Sequence, residues 1–249
     1  MTGAVAQIWR HPIKSHGREA LKNVALVAGQ TMAWDRAWAV AHSQSKIDGT
    51  DWAPCVNFSR GAKTPSLMAI SATLDDARRI LTLTHPDRPI LRFSPETEAA
   101  AFLVWVAPLM PADRAASTRL VRVPDRGMTD TDFPSISLLN LASNAALSQR
   151  IGTEMSPNRW RANIWLKGME PWQEFELIGK TLQLGAAQLT VRERIVRCMA
   201  TTANPETGHR DADTLGALQA GWNHQDFGIY AEVTKSGAIS VNDIVEVMP

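Results

Sequence analysis

Proline and glycine cut the chain at close intervals into short segments rich in Thr, Val, Ile and Leu, a punctuation that leaves few folds open. Such breaks leave room for short strands and brief helices, and little room for long ones. In the first 95 residues the candidate strands are Val5–Trp9, Trp38–His42, Leu67–Ser71, Ile80–Thr84 and Ile90–Phe93. Leu81-Thr82-Leu83-Thr84 carries the two-residue alternation of a half-buried strand. Ser94 as N-cap, Pro95 at the first helical position and Glu96 predict a helix through the apolar run 99–107, ended by Pro108 and Pro111. That helix is the hinge between two halves.

A strand at Thr118–Val123 and a polar turn from Pro124 to Thr131 follow the hinge. Asn140 is expected to cap a helix over Leu141–Arg150 that Gly152 terminates. Strands return at Asn163–Leu166, Thr181–Leu184, Gln188–Glu193, Tyr230–Val233 and Ile244–Val247, with turns at Gly237 and Asn242-Asp243. A short helix near Asp213–Ala220 ends at Gly221. The expected class is mainly β (α+β): two barrel-like units with a few helices.

Composition bears on function by exclusion. Twenty-six basic residues against 25 acidic ones give +1 over 249 residues, which argues against a broad nucleic-acid-binding face. The longest apolar run, 99–110, is too short for a membrane span of about 20 residues. Met1–Ile8 lacks the basic segment of a signal peptide. Two cysteines, Cys55 and Cys198, are too few for a disulfide framework, so a cytoplasmic protein with reduced thiols is expected.

Three stretches concentrate chemistry. Arg192 to Gly208 runs from strand into a hydroxyl-rich loop, with Cys198 at the junction beside Arg197. Cys198 is either a small buried hydrophobe or a thiol whose thiolate the guanidinium groups favour, suited to electrophiles or soft metals. Arg10-His11-Pro12-Ile13-Lys14-Ser15-His16-Gly17 could hold an oxyanion or be a solvated turn. Arg159-Trp160-Arg161-Ala162-Asn163 enters a predicted strand, where alternation puts Arg159, Arg161 and Asn163 on one side. If that side is inward, the guanidiniums need an anionic partner; if it is outward, they are ordinary surface charges, the commoner case. The six histidines show no metal-ligand spacing, and glycine-rich phosphate loops, nucleophile elbows and zincin motifs are absent.

Taken in order, Pro12-Ile13-Lys14-Ser15, Trp34-Asp35-Arg36, Arg161-Ala162-Asn163, the block Arg197-Cys198-x-x-Thr201-Thr202-x-x-Pro205-x-Thr207-Gly208, and Phe227-Gly228-x-Tyr230 resemble a MOSC-domain protein. The first half is similar to the β-barrel domain that precedes MOSC in amidoxime-reducing proteins. The resemblance implies an N-terminal β-barrel domain at 1–95, a helical connection at 96–117 and a MOSC domain at 118–249. It further implies a molybdopterin-type molybdenum cofactor, and not pyridoxal phosphate, with Cys198 supplying a thiolate to molybdenum. Lys14, Ser15 and Arg36 match positions that hold the cofactor's phosphate tail. Arg161, Asn163, Arg197 and Tyr230 match cofactor-facing positions, and Thr201 and Thr202 fit as hydroxyls near the metal. In place of the usual Arg-Phe-Arg-Pro-Asn, this chain has Arg159-Trp160-Arg161-Ala162-Asn163.

The implied activity is reduction of N-hydroxylated or related oxidised small molecules. Electrons are expected from a separate ferredoxin- or flavin-type reductase, because no cysteine-rich ferredoxin segment is visible. Two alternatives stand beside it: a sulfur-transfer protein carrying a Cys198 persulfide, and a non-catalytic carrier of the cofactor. Neither nucleic acid nor membrane is an expected partner.

Overall fold

The computed structural model describes residues 2–123 and 126–248. Pro124 and Asp125, where the expected polar turn begins, lie outside the described residues. The first half holds strands β1 (Thr2–Arg10), β2 (Glu19–Leu21), β3 (Asn23–Leu26), β4 (Ala39–His42), β5 (Ser71–Asp75), β6 (Ile80–His85) and β7 (Arg88–Phe93). Helix α1 (Ala99–Val106) and β8 (Ser117–Val121) follow. The second half contains β9 (Ile136–Asn140), α2 (Leu141–Ile151), β10 (Ile164–Lys167), β11 (Thr181–Leu184) and β12 (Ala187–Val196). After them come α3 (Thr214–Trp222), β13 (Asp226–Lys235), β14 (Gly237–Ser240) and β15 (Ile244–Val247).

Seven strands close into a barrel in the order β10-β9-β13-β12-β11-β15-β1, with β1 pairing back onto β10. All its ladders are antiparallel except β9 with β10. Closure removes the free edges that an open sheet exposes. Alternate residues fill the interior: Ile136 and Leu138 on β9, Ile164 and Leu166 on β10, Leu182 and Leu184 on β11 all belong to one buried cluster. The intervening Leu139 and Trp165 pack outside, against the aromatic cluster of Trp160 and Phe227. The mainly β class is therefore realised, with three α-helices among the described residues.

The closed barrel draws its first strand, β1, from the start of the chain, so pairing crosses between the segments 1–95 and 118–249 read from sequence. A second crossing joins β3 to β14. The rest of the first half makes smaller sheets, β5-β6-β7 and β4-β8. Helix α1 contributes Phe102, Trp105 and Val106 to the core shared with Leu81, Leu83 and Phe93 of β6 and β7.

Several local expectations are corrected. Leu67 lies in a 3-10 turn, Pro65–Ala69, and the strand begins only at Ser71. The proline at the start favours that turn. Helix α1 starts after Glu98, not at Ser94; the Ser94 backbone N–H donates to the Glu98 carboxylate at 2.7 Å, closing a turn before the helix. Helix α3 runs through Gly221 and ends on Asn223 in the left-handed conformation. Gly237 opens strand β14 instead of a turn. Asn140 does cap α2, accepting from the Ala142 N–H at 3.0 Å, and Gly152 ends it at φ 81°.

Register fixes what meets at one end of the barrel. Ile8 stands opposite Ile164, Ile164 opposite Leu138, Leu138 opposite Ile229, and Ile229 opposite Arg194. The loops after β1 and β12, the segment before β10 and the middle of β13 therefore converge.

Candidate functional site

A cleft of about 260 Å³ opens at that convergence. Its walls come from both halves of the chain: Lys14, Ser15, Arg36, Cys55 and Arg60 from the first, and Arg159, Arg161, Arg197, Cys198 and Tyr230 from the second. Lining cations are Lys14, Arg36, Arg60, Arg159, Arg161 and Arg197, against the single carboxylate of Asp130. Behind the lining, Asp35 pairs with Arg36 and Asp211 with Arg159 at 2.7 Å, and the remaining excess of positive charge favours an anion.

Two short backbone bonds place the first group. The Lys14 N–H donates to Trp38 O at 2.7 Å and the Arg36 N–H to His11 O at 2.7 Å, so residues 11–14 lie alongside 36–38. Ser15, Arg36 and Arg161 all have positive φ, at 64°, 52° and 50°. This region is costly for residues with a Cβ, and such outliers cluster at functional sites. Asp35 is buried and paired with the Arg36 guanidinium, and its Oδ1 accepts from the His11 N–H at 2.8 Å. Although burial opposes ionisation, Arg36 and His11 hold the Asp35 carboxyl well below the usual carboxylate range. Arg36 Nη2 then donates to Arg161 O at 2.9 Å, tying the halves together.

Arg161 does not sit on a strand. It ends the 3-10 turn Pro157–Trp160 in the left-handed conformation, and β10 begins at Ile164. The alternation expected over 159–163 therefore does not apply, yet Arg159 and Arg161 still reach the cleft together. Arg161 Nη2 donates to Gly17 O at 3.0 Å, whereas its Nη1 is buried with no partner among the described residues. Arg159, 2% exposed, pairs with Asp211 at 2.7 Å, and its Nε has no partner among the described residues. Burial first, then Arg36 and Arg18, push the Arg161 guanidinium down to about 9.

Cys198 stands two residues past the end of β12, at the N-cap of the turn Met199–Thr202, and is exposed, which removes the reading of a buried structural thiol. Beside it Arg197 donates from Nε to Phe227 O at 2.8 Å and from Nη1 to Trp160 O at 3.1 Å. Burial lowers the Arg197 guanidinium to about 10, with Tyr230 and Cys198 opposing the drop. Burial, and after it Asp130, push the Tyr230 hydroxyl above its ordinary range, so it keeps its proton. Thr201 lines the cleft, its Oγ1 2.7 Å from Thr214 Oγ1.

Eight of the ten expected site residues thus meet at the cleft: Lys14, Ser15, Arg36, Arg161, Arg197, Cys198, Thr201 and Tyr230. Asn163 and Thr202 do not line it. Asn163 Oδ1 accepts from the Ser137 N–H at 3.1 Å and its Oγ at 2.9 Å, stapling β9 to the approach of β10. Thr202 Oγ1 donates to Met199 O at 2.8 Å, closing the turn after Cys198. Sequence reasoning missed Asp130, Arg60 and Cys55 as lining residues. Cys55 Sγ accepts from Arg60 Nη1 at 3.1 Å, so both cysteines of the chain face one cleft. No three His, Cys, Asp or Glu side chains form a metal-ion cage among the described residues.

The loop 11–16 also carries a pH response. His16 is fully buried, its Nδ1 2.7 Å from Lys14 O, and burial lowers it to about 4. Burial, then Arg161, lowers His11 to about 3. Both folded values lie below the ordinary 6.5, so the unfolded chain takes up protons that the folded chain refuses. Their contribution is complete above about pH 6.5 and is lost as pH falls toward about 4. Each histidine is expected to lower stability by on the order of 1 kcal/mol per pH unit in that window. Urea unfolding at pH 7.5, 6, 5 and 4.5 checks this, and a midpoint unchanged down to pH 4.5 would contradict it.

Residues 126–246 match the family model of the MOSC domain, and residues 2–116 match that of the MOSC N-terminal beta barrel domain. No curated protein matches the chain. Among solved structures, the YUAD protein from Bacillus subtilis is 12% identical, covers 99% of this chain and 96% of its own, and has a TM-score of 0.48. YiiM from Geobacillus stearothermophilus is 14% identical over 46% of this chain and 54% of its own, with a TM-score of 0.35.

Proposed function

This chain belongs to the MOSC family, with a MOSC N-terminal beta barrel domain preceding the MOSC domain, and from that premise we propose its function. It binds a molybdopterin-type molybdenum cofactor in the cleft and reduces N-hydroxylated or related oxidised small molecules. The observation that carries the reading is the exposed Cys198 thiol on a cleft lined by six cations and one carboxylate. The donor set fits such a group. A thiol suits a metal that already carries sulfur ligands, and Arg161 Nη1, buried with no partner among the described residues, is a donor that an anion would satisfy.

Cys198 would hold the metal, while Arg161, Arg36, Lys14 and Ser15 would hold the phosphate. The units 1–95 and 118–249, joined by 96–117, would then clamp the cofactor between them. When bound, the cofactor supplies two-electron oxygen-abstraction chemistry, in which N–OH, two electrons and two protons give N–H and water. Arg197, fixed by backbone carbonyls, keeps positive charge near the Cys198 sulfur. Tyr230, still protonated, can donate a hydrogen bond into the cleft. Two cysteines are too few to bind an iron–sulfur cluster, so a separate ferredoxin- or flavin-type reductase is the proposed electron source. The unbridged thiols suit a cytoplasmic setting. Among the described residues no helix is long and apolar enough to cross a membrane.

The exposure of Cys198 also favours a second reading, a carrier that holds sulfur as a Cys198 persulfide. An anaerobic assay separates the two, using protein from a cofactor-competent host, reduced viologen as donor and a panel of amidoximes and hydroxylamines. Turnover is the expected result. A molybdenum-loaded protein that reduces none of them would overturn the reductase reading. A persulfide on Cys198 after incubation with a cysteine desulfurase, without bound molybdenum, would support the carrier.

A further inference from the structure

Lys14 matches a phosphate-holding position, yet its ammonium has no donor left to offer. A lysine carries three N–H bonds, and Lys14 Nζ uses them on Met128 O at 2.8 Å, Thr129 O at 3.2 Å and the Asp130 carboxylate. The Lys14 side chain is 5% exposed, so water does not supply an alternative partner easily. Asp130 differs from its two companions. The backbone carbonyls of Met128 and Thr129 belong to a segment held by the bond from the Met128 N–H to Arg36 O at 2.8 Å. The Asp130 side chain is 54% exposed, lines the cleft, and hydrogen-bonds to no other group among the described residues.

Its surroundings are those of an anion's binding place. Against the cost of desolvation, Lys14, Arg36 and Arg161 hold the Asp130 carboxyl at about 2, so it is ionised at neutral pH. Arg161 meanwhile keeps a buried Nη1 with no partner among the described residues. The cations here therefore face one carboxylate that satisfies Lys14 and leaves Arg161 unsatisfied.

We propose that Asp130 is an internal counter-ion of the cleft, displaced from Lys14 when a phosphate-type anion enters to bridge Lys14 and Arg161. This rests on the reading in which the cleft receives an anionic cofactor, and it adds a loading step that the chain itself controls. The carboxylate holds the Lys14 ammonium in place in the empty protein, and competes with the ligand for it. Once displaced, it repels the incoming anion, so its charge weakens binding in both stages.

The test uses the full chain made in a host that lacks the cofactor, titrated calorimetrically with inorganic phosphate at fixed ionic strength. Asp130→Asn is expected to bind phosphate about tenfold or more tightly than wild type, the effect of removing one close like charge in a partly desolvated cleft. Arg161→Met is expected to lose that phosphate site in either background. Asp130→Ala serves as a second variant if the asparagine chain melts early. Unchanged affinity in folded Asp130 variants would overturn the proposal. So would weaker affinity, because Asp130 would then be orienting Lys14 and not competing for it. Phosphate binding tightened by Asp130→Asn in a chain that never carries molybdenum would keep the counter-ion and remove the cofactor reading. Normal molybdenum loading with no gain from Asp130→Asn would do the reverse.

Discussion

Cys198→Ser is expected to lower reductase turnover by at least about a hundredfold, while its cofactor-free form melts as the cofactor-free wild type does. Losing an outer-shell partner of a metal ligand costs about 10–100-fold, and loss of the ligand itself should exceed that. A serine hydroxyl is harder and far less acidic than a thiol, so it is a poor substitute at a sulfur-rich centre. The fold has little reason to respond. Cys198 is exposed and its sulfur makes no hydrogen bond among the described residues, and surface changes of this kind usually stay within about 0.5 kcal/mol. Turnover within tenfold of wild type in a folded Cys198→Ser protein would remove Cys198 from the chemistry.

Phe227→Ala is expected to carry the largest stability loss, about 3–5 kcal/mol. The ring is fully buried and stacks on Trp160 with centroids 3.9 Å apart and planes 7° from parallel. It also meets the edges of Trp165 at 6.3 Å and Trp172 at 5.5 Å. Aromatic pairs of this geometry add about 0.5–1.5 kcal/mol beyond area burial. The loss reaches the cleft as well, because Trp160 carries the Arg197 guanidinium 5.4 Å above its ring and accepts from it through its carbonyl. Urea unfolding of Phe227→Ala beside Phe227→Leu measures the effect, with leucine expected to recover part of it. A loss below about 1 kcal/mol would contradict the packing described.

The candidate site was more legible in the sequence than the fold that assembles it. Cys198 and its arginine neighbour stand together in the chain, so local order already joined thiol and cation. Asn140 and Gly152 declared a helix through cap chemistry that acts within a few residues. Strand β9, by contrast, is buried at all five positions and pairs parallel with β10. A strand covered on both faces shows no alternation, so its short apolar run was indistinguishable from the start of the next helix. The pairing of Val5 with Leu166 is set by the closed barrel and leaves no local signal.

Side-chain direction was the other gap. Carrying strand alternation back from the strand expected at Asn163–Leu166 over Arg159 and Arg161 overlooks Ser156 and Pro157, a cap and a first-turn proline. Asn163 and Thr202 carry polar groups that the backbone nearby captured. Asp130 looked like one more turn residue, because its meaning depends on Lys14, 116 positions away. Cys55 became a cleft residue only when the two halves met.

The central claim is that Cys198 and the cationic cleft together hold a molybdenum cofactor. Molybdenum per chain, measured by elemental analysis on wild type and Cys198→Ser from a cofactor-competent host, tests it most directly. Near-stoichiometric metal is expected in the wild type, with a marked fall in the mutant. Equal metal in both proteins, or none in a wild type whose host is shown to load a control enzyme, would contradict it.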